Sequence, residues 1–288
     1  MFTNKKIAFI GPGAMGEAMI AGLIRQEVAP AQALVAAGPR QKRLDQLSKA
    51  YGVGGTTNNA EAAAGADVVV LSVKPQRLDA VLNGLKGAVK PEALVLSIVA
   101  GAPIEKIQIG LEHPSIVRAM PNTPAQIGEG ISVWTASATV NEEQHEMASQ
   151  ILGALGEEIY MEEETYLDMA TALSGTGPAY VFLFMEALVD SGVHLGFPRR
   201  IAEQLVTHTV RGSVDFYLKL MQDNGSSMHL AQLRNQVTSP GGTSAAALYY
   251  LEKAGFRTAV SRAIWAAYER SQELGREAKS HAPKDVIT

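Results

Sequence analysis

Apolar and polar positions follow two different patterns along the chain. Up to about residue 162, short β-branched or leucine-rich runs alternate with stretches in which apolar residues recur at three- and four-residue spacing. That alternation is expected of a parallel sheet covered by helices. It predicts strands at residues 6–10, 33–37, 68–73, 94–98, 115–119, 131–135 and 158–161, with helices at 15–26, 42–51, 76–85, 104–111 and 142–155. From about Glu163 the alternation stops and helical periodicity takes over. Pro178 and Pro198 stand where proline is best tolerated, in the first turn of a helix, so a helix is predicted after each. Further helices are predicted at 226–235, 243–253 and 256–275. Between 178 and 193 the apolar positions Tyr180, Val181, Phe184, Met185, Leu188 and Val189 leave little polar face, which predicts a buried helix of the kind found between subunits. The polar residues 276–288 predict a mobile tail. The pattern thus divides the chain into an α/β part at 1–162, an all-helical part at 163–275 and the tail.

Composition narrows the class. A chain of 288 residues is long enough for two cores. With 47% apolar residues, 19% charged residues and a formal net charge of −4, it reads as a globular enzyme with no nucleic-acid partner. The absence of cysteine excludes disulfides and thiolate chemistry and suits a reducing cytoplasm. The six histidines form no ligand spacing, so no metal site is predicted. The apolar run before Gly11 is about four residues, too short for a signal peptide. No segment approaches the roughly 20 apolar residues of a membrane span, so no membrane partner is expected.

Two glycine-bearing elements carry the candidate chemistry. Gly11, Pro12, Gly13, Ala14, Met15 and Gly16 follow the first strand and open the first helix, matching the dinucleotide fingerprint of a doubly wound Rossmann domain. One glycine makes the turn, one admits the pyrophosphate, and one lets helix and strand pack closely. The acidic residue that would bind a ribose 2′-hydroxyl at the end of the second strand is missing. Ala36, Ala37, Gly38 and Pro39 stand there, followed by Arg40, Lys42 and Arg43. Positive charge where a 2′-phosphate would lie points to NADPH, with NADH as the second choice, and Arg40 is the candidate phosphate ligand. Loops at the carboxyl ends of later strands should complete the cleft: Val73, Lys74 and Pro75; Ala100 and Gly101; and Met120, Pro121, Asn122, Thr123 and Pro124. The amide of Asn122 suits a carboxamide, while Lys74 reads either as a proton donor or as a surface charge.

The second element is Thr238, Ser239, Pro240, Gly241, Gly242, Thr243 and Ser244, which leads into the helix-forming run of Ala245, Ala246, Ala247 and Leu248. Glycines admit a close ligand, hydroxyls donate, and the helix start offers unpaired N–H groups, together a pocket for a small anion. Alternatively, Thr243 and Ser244 simply cap the helix. Gly175 and Gly177 flank Thr176 just before the proline-led helix, so Thr176 either faces the pocket or sits between glycines that serve helix packing.

The runs from Ala172 to Tyr180 and from Arg234 to Ser244, together with the glycine loop and the Val-Lys-Pro and Met-Pro-Asn loops, resemble the pyrroline-5-carboxylate reductases over nearly the whole chain, to about Gly275. The resemblance implies a Rossmann domain followed by an all-helical domain that interleaves with a partner into a homodimer, often assembled further into a decamer. It implies reduction of 1-pyrroline-5-carboxylate to L-proline, the last step of proline biosynthesis, usually with NADPH. It also implies that the substrate carboxylate sits on the Ser239 hydroxyl and the N–H groups of Thr243 and Ser244 beside Gly242. The Ser244 hydroxyl would then act near the ring nitrogen, where the family typically has threonine. Reduction of a basic cyclic imine needs little acid from the protein, in keeping with the lack of paired carboxylates or a catalytic histidine. Two rivals share the first half: another NADPH-dependent dehydrogenase with a helical second domain, and a non-catalytic dinucleotide sensor. A β-hydroxyacid dehydrogenase would carry a lysine in the helix after Pro178, and this one has none.

Overall fold

The computed structural model describes residue 2 and residues 4–224 and 228–280. The chain forms two compact units, Met1–Pro178 with Ala266–Thr288, and Ala179–Trp265. In the first unit β1 (Ile7–Ile10), β2 (Leu34–Ala37), β3 (Gly54–Thr56), β4 (Val68–Leu71), β5 (Leu94–Ser97), β6 (Ile116–Met120), β7 (Gly130–Ala136) and β8 (Gly156–Tyr160) make one sheet. Its order is β3-β2-β1-β4-β5-β6-β7-β8. Neighbours are parallel throughout except β6 and β7, which are antiparallel. The chain winds outward from β1 to β3 and then crosses back to β4, so the winding reverses between β1 and β4. The covering helices are α1 (Ala14–Arg25), α2 (Gln41–Tyr51), α3 (Asn59–Ala64), α4 (Leu78–Leu85), α5 (Ile104–Leu111), α6 (Glu142–Gly153) and α7 (Thr165–Ala170).

Strand side chains alternate between two cores, as the two-residue repeat of a pleated strand requires. Ile7, Phe9, Val68, Val70, Leu94 and Leu96 pack on one face with Met19, Ile20 and Leu152. Ala8, Ile10, Val69, Leu71 and Val95 pack on the other with Leu82, Leu85 and Ile107. At the far edge of the first core, buried Trp134 stacks against His145 and Tyr160, with ring centroids 4.5 and 4.8 Å away, and its indole N–H donates to Glu158.

The strands expected from the sequence are present, with ends shifted by one or two residues. Two elements were not anticipated, β3 and α3. The strand Gly54, Gly55, Thr56 has a single residue of high strand propensity, and α3 is an alanine-rich turn and a half, so neither is long enough to show a period.

The second unit is helical: α8 (Gly177–His194) begins at its boundary, followed by α9 (Arg199–Asn224), α10 (Leu230–Gln236), α11 (Thr243–Lys253) and α12 (Phe256–Ser280), whose later turns belong to the first unit. Helix α12 continues to Ser280, so the start of the expected tail is helical, and residues 281–288 lie outside those described. The expected helix at 226–235 is seen as α10, its first residues also lying outside.

Within one copy of the chain, Val189 is the buried residue of α8, while Phe182 and Leu183 are 64% and 67% exposed. A helix apolar on most of its circumference needs cover on several sides, and one copy of the chain does not supply it, as the reading of a helix between subunits requires. One expectation is corrected here, that no segment is long and apolar enough for a membrane span. The helical run Thr165–His194 is long and apolar enough to cross a membrane by length and composition, with mean hydropathy 1.3 in its most apolar window. The backbone passes from α7 to α8 by a wider π-type segment, Thr171–Gly175.

Close packing of α1 on the end of α6 gives a stability test. A Cβ at Gly22 would lie 2.7 Å from the Ala154 carbonyl oxygen and 3.3 Å from Leu155 Cδ2. Alanine in a helix interior normally gains up to about 1 kcal/mol over glycine. Here Gly22→Ala should instead destabilise the fold by about 1–3 kcal/mol through overpacking, measured as a lower urea midpoint at unchanged slope.

Candidate active site

The carboxyl ends of the parallel strands are in register: Ile10 lies opposite both Ala37 and Leu71, and Leu71 opposite Ser97. The loops after β1, β2, β4, β5 and β6 therefore leave the sheet along one edge, the side on which open α/β sheets bind ligands. The glycine loop sits at the reversal point. Gly11 has φ +80°, and its N–H donates to the Ala37 carbonyl at 2.8 Å. A Cβ there would collide with Val73 Cγ1, so the first glycine is required both by its turn and by the loop after β4. A Cβ at Gly16 would lie 2.7 Å from Ser72 Oγ, which donates to the carbonyls of Ile10 and Gly11 at 3.2 and 3.1 Å. Around Gly13 the space is open, with the nearest atom 3.9 Å from where a Cβ would be. Gly13 caps α1 without a side chain, so the N–H groups of Ala14, Met15 and Gly16 in the first turn face outward into that space. The three glycines thus have the separate roles that a pyrophosphate cradle needs.

The basic residues after β2 divide their work in a way the sequence does not show. Arg43 is committed to the loop: its Nε donates to the Pro12 carbonyl at 3.1 Å, and Nη2 reaches the Gly13 carbonyl at 3.5 Å and pairs with Glu17. The other oxygen of Glu17 accepts from Tyr51 at 3.0 Å. Burial, aided by that hydrogen bond, pushes the Tyr51 phenol above its usual range. Arg40, the residue that caps α2, is exposed and its side chain has no partner among the described residues. Of the two arginines, Arg40 is the one whose charge has no partner among the described residues.

Further along the edge, Val73 packs on Gly11, Lys74 is exposed, and Pro75 opens a short 3₁₀ turn. Ala100 is half-buried and Gly101, at φ +65°, lies against α12, where a Cβ would meet Leu274 Cβ at 2.8 Å. Met120 and Pro121 are buried at the end of β6. The Asn122 side-chain oxygen accepts from the Ile131 N–H at 3.0 Å, which fixes the amide and leaves its nitrogen available as a donor. Met120 also touches Gly175 at 3.4 Å from the position of a Cβ. Thr176 follows the π-type segment, and its hydroxyl donates to the Thr171 carbonyl at 2.8 Å, so it is oriented by its own backbone. No Cβ clash arises at Gly177, and Gly175 has ordinary contacts only, so tight helix packing does not explain this glycine pair.

In the second unit, the Thr238 hydroxyl donates to the Arg234 carbonyl at 2.6 Å and closes α10. Gly241 takes φ +71°, Gly242 N–H donates to the Ser239 carbonyl at 3.0 Å, and α11 starts at Thr243. The turn brings Ser239 Oγ to within 2.5 Å of where a Gly242 Cβ would be, so only glycine lets that hydroxyl stand over the helix start. The cap is Gly242, with no side-chain cap hydrogen bond. Thr243 and Ser244 therefore do not cap the helix, and its first N–H groups remain open to an anion.

Sequence reading missed an ionic cluster around a buried arginine in the first unit, its two carboxylates 33% and 24% exposed. Arg118 on β6 is 3% exposed and pairs with Glu164 at 2.8 Å and Asp168 at 3.2 Å. A charged residue inside an apolar strand run is the signal that could have found it.

Comparison with known proteins agrees with this geometry. A family model described as pyrroline-5-carboxylate reductase dimerisation matches residues 164–274, and one described as coenzyme F420-dependent NADP oxidoreductase matches residues 6–101, within the nucleotide-binding part alone. A pyrroline-5-carboxylate reductase of Synechocystis is 42% identical over 94% of this chain and 99% of its own length. One of Pseudomonas aeruginosa is 41% identical over 96% of this chain and 98% of its own. A crystal structure of the Plasmodium falciparum enzyme with NADP bound superposes with a TM-score of 0.85 at 34% identity, covering 96% of this chain and all of that one. With a relative this similar over almost its entire length, the chain belongs to the pyrroline-5-carboxylate reductase family.

Proposed function

We propose that this member of an NAD(P)-dependent oxidoreductase family binds NADPH in preference to NADH and reduces 1-pyrroline-5-carboxylate to L-proline, with the substrate held at the start of α11. The observation that carries the substrate assignment is the open helix start at Gly242, Thr243 and Ser244 with the Ser239 hydroxyl standing over it. A carboxylate there gains both the helix dipole and charge-assisted hydrogen bonds. The space at Gly13 and the bare first turn of α1 fit a dinucleotide pyrophosphate, and Arg40 fits a 2′-phosphate. When bound, the dihydronicotinamide supplies the hydride that reduces the C=N carbon.

The remaining work falls to the chain's own groups. Ser239 and the N–H groups of Thr243 and Ser244 fix the carboxylate and with it the ring. Ser244 places its hydroxyl at the ring nitrogen, which is partly protonated near neutral pH because a cyclic imine is basic. Asn122, whose amide N–H groups are free to donate, would hold the carboxamide of the nicotinamide, with Val73, Lys74, Pro75, Ala100, Gly101, Met120 and Pro121 around its cleft. Thr176 serves the substrate side. Catalysis by this set is chiefly orientation of two bound molecules, the regime in which effective concentration replaces covalent chemistry.

The chain self-associates, and the exposed apolar side chains of α8, together with Trp265 and Val260 of α12, support a homodimer; the decamer is what the family resemblance implies. A cysteine-free chain suits the cytoplasm.

Purified protein mixed with NADPH and 1-pyrroline-5-carboxylate should consume nicotinamide absorbance and form proline. Ser244→Ala should lower kcat by roughly 10- to 1,000-fold, the range between loss of an orienting hydrogen bond and loss of a proton donor; an unchanged kcat removes Ser244 from the reaction. The two arginines should separate in steady-state kinetics. Arg40→Ala should raise KM for NADPH far more than for NADH, whereas Arg43→Ala, which loosens the glycine loop itself, should raise both by a similar factor.

A further inference from the structure

We propose that Arg118 is a positioning residue for the reduction, holding the loops after β5 and β6 at the geometry that hydride transfer needs. The inference rests on the reading of those loops as the nicotinamide cleft. Its guanidinium is enclosed, with the Arg118 side chain 4% exposed, and each of its two carboxylate partners ties in a second element. Glu164 Oε1 receives Arg118 Nη1 at 2.8 Å and also accepts the Ile104 N–H at 2.9 Å, so the same oxygen fixes the start of α5 just after Ala100 and Gly101. Asp168 Oδ1 receives Arg118 Nη2 at 3.2 Å and the Ser271 hydroxyl at 3.0 Å, which fixes α12. One turn beyond Ser271, Leu274 packs directly on Gly101. Helix α7, which carries Asp168 and follows directly on Glu164, continues into the π-type segment whose Gly175 touches Met120, two residues after Arg118 on β6.

Stability alone is a weak reason for such a cluster. Two carboxylates against one guanidinium leave a net negative charge, and Arg118 Nε is buried with no hydrogen-bond partner. A buried ion pair often does no better than apolar side chains of the same volume, and an orphaned donor adds a further cost. What the planar fork provides that apolar packing does not is fixed geometry: two carboxylates held at set angles, each transmitting its position to the backbone beside the cleft.

The test uses Arg118→Lys, which keeps the charge and loses the fork, and Ser271→Ala, which frees α12 from Asp168 without stranding a buried charge. For each, kcat with 1-pyrroline-5-carboxylate, NADPH affinity by nicotinamide fluorescence, and Tm are measured. Arg118→Lys should lower kcat by roughly 10- to 100-fold, as a displacement of about 1 Å at the reacting centre would, with NADPH affinity within about threefold of the parent. Ser271→Ala should show a smaller fall of the same kind at a Tm above the assay temperature. If Arg118→Lys does not fold, Ser271→Ala carries the test by itself. Parental kcat in the folded variants, or NADPH affinity falling in step with kcat, overturns the inference while leaving the parent's turnover, and hence the proposed function, intact. A parent with no imine turnover overturns both.

Discussion

Passage of the Gly11 backbone beside Val73, at the point where the sheet reverses its winding, constrains the whole nucleotide-binding half. Parallel strands with ends in register send successive loops to one edge, and the loops after β1 and β4 must share the narrow space between them. A side chain at position 11 would push the two apart and carry α1 away from the sheet. With glycine there, Ser72 can bond to the carbonyls of Ile10 and Gly11 and lie under Gly16, and the first turn of α1 points at the reversal point with its N–H groups bare. Arg43 then fixes the outer side of the same loop through its carbonyls. The cradle is built mainly from backbone, and side chains act on it by holding that backbone still.

The helical part obeys a different constraint. Its helices are apolar beyond what a single chain can cover: Phe182 and Leu183 on α8, Phe216 on α9, Tyr250 on α11 and Trp265 on α12 are all more than half exposed. Exposed apolar area on this scale marks an association surface, and the match of residues 164–274 to a dimerisation model agrees with it. The turn at Ser239 to Ser244 is local by comparison. Its form follows from a left-handed Gly241, a hydrogen bond from Gly242 to Ser239, and a helix start with no side-chain cap.

Much of this was legible in the chain itself, and what was missed has a physical cause. Strands of alternating or continuous apolar character announced the sheet because their period is local. Helices α5 and α11 were read with their observed ends because proline and glycine punctuate them. The pair β3 and α3 was too short for any period to emerge. Helix α8 was read as one buried between subunits, and its apolar side chains are exposed in one copy of the chain, as that reading requires. The roles of Arg40 and Arg43 could not be separated from their spacing, since they follow β2 by three and six residues and only folding turns one toward the loop carbonyls.

The sequence by itself determined the order of strands and helices, the position of both glycine-bearing elements and the family to which the chain is similar, because each of these is encoded in neighbours a few residues apart. Tertiary structure alone decided which loops share the sheet edge, that Arg43 holds the glycine loop while Arg40 stands free, and that Arg118 joins β6 to Glu164 and Asp168. Those contacts link residues tens of positions apart, and their partners are selected by the crossing of the chain from β3 back to β4 and by the packing of α7 and α12 on β6 and the loop after β5, which no local pattern records.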